Sequence, residues 1–192
     1  MAWTDNEIIE RIRRGEKHRY AQLVDRYKDK AMTLGRRMLK DRLDAEEAAQ
    51  DAFLRAYNGL EKFEGSAKFS TWFYRILYNA CLTRLRRRKT EFQPVEYDDD
   101  REYEGQWERG SETPLSILES ADLGLFVKRA IDDMPMKYGT ILSLYYLQEL
   151  SHSEICEVTA LPLGTVKVQL FRARAMLQER LTNELQPEKV AT

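Results

Sequence analysis

The sequence predicts an all-α chain: two small helical domains joined by a flexible acidic linker. Three observations predict it. Apolar residues recur at spacings of three and four along most of the chain, as helix faces require. No alternating pattern lasts long enough to suggest a strand. Between Thr90 and Thr113 the periodicity stops, and Pro94, the run Asp98-Asp99-Asp100, Gly105 and Gly110 replace it, closed by Pro114. A segment of that composition reads as a linker. The domains are expected at 1–90 and 116–186, with the linker at 91–115 and a tail at 187–192. With 192 residues and 43% apolar side chains, the chain can fill two small cores.

Taken in order, Glu7–Arg14 reads as a short helix that stops at Gly15. His18–Arg42 follows, with Tyr20, Leu23, Val24, Tyr27, Ala31, Leu34, Met38 and Leu39 on one face. Asp44 is the expected N-cap of a third helix, Ala45–Leu60, with Glu47 completing a capping box. That helix should bury Ala48, Ala49, Ala52, Phe53 and Ala56. Glu61–Phe69 reads as a loop through Gly65 and Ser66. Ser70 then caps Thr71–Lys89, packed by Trp72, Ile76, Leu77 and Ala80. Beyond the linker, Ser116–Asp132 reads as amphipathic, and Asp133-Met134-Pro135 breaks it. Lys137–Leu147, Ser151–Thr159 and Gly164–Leu185 complete the chain.

Charge is distributed unevenly. The net charge is only -1, yet residues 1–90 carry 21 Lys/Arg against 13 Asp/Glu, and residues 91–122 carry 2 against 11. A basic half suits a polyanion such as nucleic acid, whose counterions are released on binding. A solvated charged face explains the same numbers. Phe92, Tyr97, Tyr103 and Trp107 lie among the linker's acids, either to dock on a groove or as a partly ordered loop. The acids at 96–104 could shield the basic run at 84–89. No apolar run approaches the roughly 18 residues of a membrane span, and no signal peptide is seen. Cys81 and Cys156 are too few for a disulfide framework, so a cytoplasmic location is expected. His152 and Cys156 stand at i, i+4. A zinc site needs about four ligands, and only His18 and Cys81 remain, so Cys156 reads better as a buried small side chain at the contact between the two helices. No catalytic residue, metal, cofactor or small-molecule substrate is expected.

Residues 151–180 have the form of a helix-turn-helix. Ser151 and Glu154 make a capping box before a short helix that turns Ile155 and Val158 inward. Ala160-Leu161-Pro162 ends it, since proline disfavours helix in the residue before it. Gly164 allows a tight turn, and Thr165 can open the second helix. That helix should bury Val166, Leu170, Ala173 and Leu177, and show Thr165, Lys167, Gln169, Arg172 and Arg174 outward. Long donor side chains at the start of a second helix are what major-groove reading needs. A generic helical hairpin is the plainer alternative.

The stretch LSHSEICEVTALPLGTVKVQLFRARAML (150–177) resembles region 4 of the extracytoplasmic-function sigma factors of bacterial RNA polymerase. DAEEAAQDAFLRAY (44–57) and FEGSAKFSTWFYRILYNA (63–80), followed by a basic run, resemble region 2 of the same family, in the right order across an acidic linker. The resemblance implies a transcription initiation factor with three kinds of contact. Glu47, Gln50, Asp51 and Arg55 match the face that binds core polymerase at the β′ clamp helices, and region 4 implies a β flap contact. Phe63, Ser66, Lys68, Phe69, Trp72, Arg75 and Asn79 match the stretch that reads and melts the -10 element, with Arg84, Arg86, Arg87, Arg88 and Lys89 on phosphates. Opening a duplex needs a place for an unstacked base and aromatic support for it. Phe69 fits a core position better than a contact, and Trp72 fits either.

Thr165, Lys167, Val168, Gln169, Arg172 and Arg174 match the -35 recognition helix. Many members have Ser then Arg where this chain has Val168 and Gln169. Valine can only touch a thymine methyl, and glutamine prefers adenine, so the -35 preference is expected to depart from a GGAAC-like motif. An anti-sigma factor, often membrane-bound, is a further implied partner. Two other readings stay open on the residues alone: a stand-alone helix-turn-helix regulator, and a helical adaptor that binds only proteins.

Overall fold

The computed structural model describes residues 3–91, 127 and 129–185, and every regular element among them is helical. The linker expectations, its aromatics and the start of the Ser116–Asp132 helix lie outside the described residues. The elements are α1 (Asp5–Arg13), α2 (Tyr20–Leu39), α3 (Arg42–Gly59), α4 (Phe69–Glu91), α5 (Met136–Tyr146), α6 (His152–Thr159) and α7 (Leu163–Leu185), with single 3-10 turns at Lys17–Arg19 and Leu60–Lys62.

In α1, Thr4 and Glu7 form a capping box: the Thr4 backbone N–H donates to Glu7 Oε2 at 2.7 Å, and the Glu7 N–H to Thr4 Oγ1 at 3.3 Å. Ile8, Ile9 and Ile12 are buried. Tyr27 and Arg26 of α2 both donate to Asp5. The guanidinium groups of Arg11 and Arg19 both lie over the Trp3 ring, 4.1 and 4.0 Å from its centroid. These contacts fix α1 on the body of the domain.

The α2–α3 turn differs from expectation. Lys40 ends α2 in the left-handed conformation, φ 55°, and its N–H donates to Arg36 O. The chain reverses within that residue, so Asp41 rather than Asp44 is the N-cap, accepting from the Asp44 N–H at 2.9 Å. The face of α3 is made of Ala45, Ala48, Ala49, Ala52 and Ala56, all buried. Short side chains let α2 and α3 approach closely: a Cβ added at Gly35 would stand 3.3 Å from Ala45 Cβ.

Helix α4 begins at Phe69, one residue ahead of Ser70, and its first backbone bond runs from Trp72 N–H to Lys68 O. Ser70 is therefore inside the first turn and does not cap it. Phe69, Phe73, Tyr74, Leu77, Ala80 and Cys81 form the buried face, and Trp72 and Ile76 are half-buried at its margin.

In the C-terminal half, α5 buries Ile141, Leu142 and Leu144, α6 buries Ile155 and Val158, and α7 buries Val166, Leu170, Ala173 and Leu177. The Ser151–Glu154 capping box is present. The reversal after α6 falls on Ala160, φ 58°, whose N–H donates to Cys156 O. Gly164 lies within α7 without a positive φ. Pro162 bars helix at Leu161, which places the turn one residue earlier.

The two halves pack on each other, α6 against α4 and α5 against α2. Arg37 of α2 is buried, and its Nε and Nη2 donate to Asp132 Oδ1 at 3.1 and 2.9 Å. Lys40 Nζ donates to Asp132 O. Tyr74 OH donates to Gln148 Oε1 at 2.6 Å in the interior of the seam.

Candidate nucleic-acid and polymerase interface

Three surfaces carry the residues singled out by sequence. On α3, Glu47, Gln50 and Arg55 are exposed and Asp51 is half-buried. Arg55 donates to Asp51 Oδ1 at 3.0 Å, and Arg84 of α4 lies 3.7 Å from Asp51 and 3.8 Å from Glu47. Together with Thr83 and Arg87 they line a groove of ≈ 430 Å³ between α3 and α4. Leu54 sits in the same groove and is 65% exposed. Sequence reasoning passed over Leu54, though it stands off the alanine face of its helix. It is an apolar side chain ringed by charged and polar groups.

The second surface is the loop before α4 and the outward face of that helix. Phe63 and Phe69 are buried, 6% and 1% exposed, in a cluster where Phe63 meets Trp72 at 5.0 Å and Phe69 at 6.1 Å. The two phenylalanines therefore shape the loop from beneath. Glu64, Gly65, Ser66 and Lys68 are exposed above them, with Gly65 at φ 74°. Lys68, Trp72, Arg75 and Asn79 follow at helical spacing, so they share one side of α4. Arg75 and Asn79 are exposed.

This surface is partly covered. Glu154 of α6 lies 3.1 Å from Lys68 Nζ and accepts from Thr71 Oγ1 at 3.2 Å. Burial alone would raise the Glu154 carboxyl. Hydrogen bonds from the Ser151 backbone and hydroxyl, and from Lys68, outweigh it and hold the group below its ordinary value.

The basic run at the end of α4 is not one patch. Arg84 faces the α3 acids, and Arg88 pairs with Asp41 and Asp44 and donates to Leu39 O. Arg86 and Arg87 are exposed. The side chain of Lys89 lies outside the described residues.

The third surface is α7. Gly164, Lys167 and Phe171 are exposed, and Thr165, Val168 and Arg172 are half-buried. The expectation that Gln169 faces outward is not met: it is 7% exposed, and its Oε1 has no partner among the described residues. Position 169 stands three residues past Val166 and four before Ala173, on the inward stripe. Arg174 Nε donates to Tyr146 OH at 2.8 Å, and its guanidinium lies over the Tyr145 and Tyr146 rings at 5.1 and 5.5 Å. It thus holds α5 to α7. Phe171, 66% exposed and one turn beyond Lys167, was not singled out by sequence, although its register makes it outward.

His152 stacks on Tyr145 at 5.2 Å, and burial, with Arg174 and Lys167 nearby, holds its imidazole below the usual value. Cys156 is half-buried, and no group of metal-ligating side chains occurs among the described residues. Nor is any helix among them long and apolar enough to cross a membrane.

A helix-turn-helix packed on a second helical unit has the form of a DNA-binding protein, and the comparisons fix the family. The description Sigma-70 region 2 matches residues 23–91, and Sigma-70, region 4 matches residues 127–177. The chain is 35% identical over 176 residues to the ECF RNA polymerase sigma factor SigW of Bacillus subtilis (90% of this chain, 94% of that one). It is 33% identical over 187 residues to the ECF RNA polymerase sigma-E factor of Haemophilus influenzae (96% of each). Its fold is similar to the sigma factor RpoE of Bartonella quintana, solved with the anti-sigma factor NepR (TM-score 0.63, 21% identity, 85% of this chain and 96% of that one). It is also similar to CnrH, solved with the cytosolic domain of CnrY (TM-score 0.61, 20% identity, 92% and 96%). The chain belongs to the extracytoplasmic-function sigma factors of the sigma-70 family, and it acts in promoter recognition and transcription initiation.

Proposed function

We propose that this chain docks on core polymerase through the α3–α4 groove, opens the -10 element with the loop at 63–68 and the outward face of α4, and reads the -35 element with α7. The observation that carries this reading is the pairing of both region matches, in order, on two helical units whose exposed faces are of different kinds. The groove is lined by both charges and an exposed leucine, as a protein partner requires. Lys68, Trp72, Arg75 and Asn79 offer two cations, an aromatic ring and an amide, as an unstacked strand requires. Lys167, Thr165, Val168, Arg172 and Phe171 present donors and methyl-contacting surface at the start of a recognition helix. The partners within polymerase are the β′ clamp helices for region 2 and the β flap for region 4.

The -35 preference follows Lys167, Val168 and Phe171. Gln169, facing inward, supports the α7 scaffold, and Arg174 supports it from the tyrosines. An anti-sigma factor is a further partner, on the precedent of the fold relatives solved with such factors. Reconstitution with core polymerase, followed by run-off transcription from a random-promoter pool, tests the whole. The expected outcome is polymerase-dependent transcripts sharing two separated elements, the upstream one departing from GGAAC. Duplex binding without any polymerase contact would instead indicate a stand-alone regulator.

Because Thr71 is buried against Glu154 and Lys68, though exposed, is paired with it, departure of α6 from α4 would free this face further for the strand. Core polymerase, by holding the two domains apart on its own surface, supplies that separation.

A further inference from the structure

Helix α1 lies wholly before residue 23, where the region 2 match begins. Its outward stripe, Asn6, Glu10 and Arg13, nevertheless faces the loop proposed to read the melted strand. Arg13 reaches across the sequence and donates from Nε and Nη2 to Leu60 O at 3.2 and 2.8 Å, and from Nη2 to Phe63 O. Those two carbonyls bracket the turn that launches the loop, and Phe63 beneath it is locked in the aromatic cluster. Between α1 and Phe63-Glu64-Gly65 lies a cavity of ≈ 260 Å³, with Asn6, Glu10 and Arg13 on its far wall and buried Ile9 between them. That is below the roughly 300 Å³ at which drug-sized pockets begin, so the occupant is one small group.

We infer that α1 completes the base-reading site: Arg13 is a positioning residue that fixes the loop, and Asn6 and Glu10 form the wall that selects an unstacked base bearing an exocyclic amine. The inference rests on the proposed role of the loop in -10 recognition. Glu10 is an acceptor only, and with Oε2 paired to Arg14 at 3.2 Å its Oε1 is left to favour the amine of cytosine, adenine or guanine over thymine, while the Asn6 amide can both donate and accept. Gly65, at φ 74° with open space where a Cβ would stand, leaves the mouth of the cavity clear. The wall itself is firm, because Asp5, Trp3 and the three isoleucines tie α1 down.

The test is a selection with the full chain on core polymerase, using forked duplexes that carry a random single-stranded segment as the probe. Wild type is expected to enrich an amine-bearing base at one position. Glu10→Gln and Asn6→Ala, both at exposed sites, should each lower that preference by about tenfold, the size of one good base contact, and leave other positions unchanged. Arg13→Ala should flatten the same position, and Arg13→Lys, which restores one donor, should recover part of it. A merely structural Arg13 would instead lower affinity at all positions alike. If the α1 variants leave the preference intact while Asn79→Ala lowers strand binding, the α1 inference falls and the reading of the loop stands. If neither set changes strand selection, both fall. Thymine at the sensitive position would also overturn the assignment.

Discussion

Three residues have properties that their surroundings define. Leu54 exposes most of its surface in a groove otherwise lined by polar and charged groups, on the face proposed to meet core polymerase. Leu54→Asp should leave thermal unfolding within about 0.5 kcal/mol of wild type, as surface changes do. It should weaken core polymerase binding by 2 kcal/mol or more, about thirtyfold, if Leu54 is the hot spot of that face. Gly164 is the second case. A Cβ there would meet nothing inside the protein, and its φ is not positive, so the fold makes no demand for glycine. Gly164→Ala should stabilise α7 by about 0.5–1 kcal/mol. If a phosphate backbone approaches α7 there, the same substitution should lower -35 duplex affinity, and the two readouts would move in opposite directions. The third is Cys81, fully buried, whose thiol burial pushes up to about 12. At pH 8, a thiol reagent should label Cys156 readily and Cys81 only on unfolding, and prompt labelling of both would contradict the packing.

Among the elements, the signals legible in sequence were those whose two ends lie within one helical turn. Ser151 and Glu154 announce the start of α6 because a capping box spans three residues, and the apolar register of α7 announces Val166, Leu170, Ala173 and Leu177. Ser151→Ala should cost the C-terminal helices about 1 kcal/mol, read as a shift in their denaturant midpoint. The Thr4–Glu7 box carried the same signal at the start of α1. Boundaries set by backbone reversals were less legible. Nothing about lysine or alanine advertises a left-handed residue, so the turns at Lys40 and Ala160 moved the start of α3 and the α6–α7 corner from where Asp44 and Gly164 suggested. Gln169 was misread outward because glutamine is usually a surface residue, whereas its register places it inside. Arg13 on Leu60 and Phe63 had no local sign at all, since its partners come from a separate turn of the chain.

The whole molecule is closed by polar contacts between its halves, and these can be loosened one at a time. Arg37 is buried with Nη1 unpartnered among the described residues, so it depends on Asp132, which is itself about half exposed. Asp132→Asn should therefore weaken the closed form by about 2 kcal/mol, between a surface pair and a fully buried one. Energy transfer between dyes on the two halves should fall, with helix content unchanged. Acid should act through Glu154. Its carboxyl is held below the ordinary 4.5 in the folded chain, so its contribution is complete above that value and is lost as pH falls through the lower folded value. Because the Ser151 bonds lie within α6 itself, the folding stability of the C-terminal helices should be flat from pH 8 to 5 and weaken below about 4.5, whereas Glu154→Gln should remove most of that acid-dependent step. None of these contacts was legible in the sequence: Arg37 and Asp132 are far apart in the chain, and neither is unusual in its own neighbourhood.

The seating of α6 on α4 has a consequence for how such a factor spends its time in a cell. A genome offers on the order of 10⁶–10⁹ competing non-specific sites, and a chain that displayed its strand-binding surface while unbound would be distributed over them. On the proposed function, with Thr71 buried against Glu154 and the exposed Lys68 paired to it, the unbound chain would present less free charge on that surface to chromosomal DNA. On that proposal, such a chain is held in reserve for polymerase. Weakening the seam should trade that reserve for non-specific residence, visible in living cells as slower diffusion of a fluorescently tagged Asp132→Asn variant.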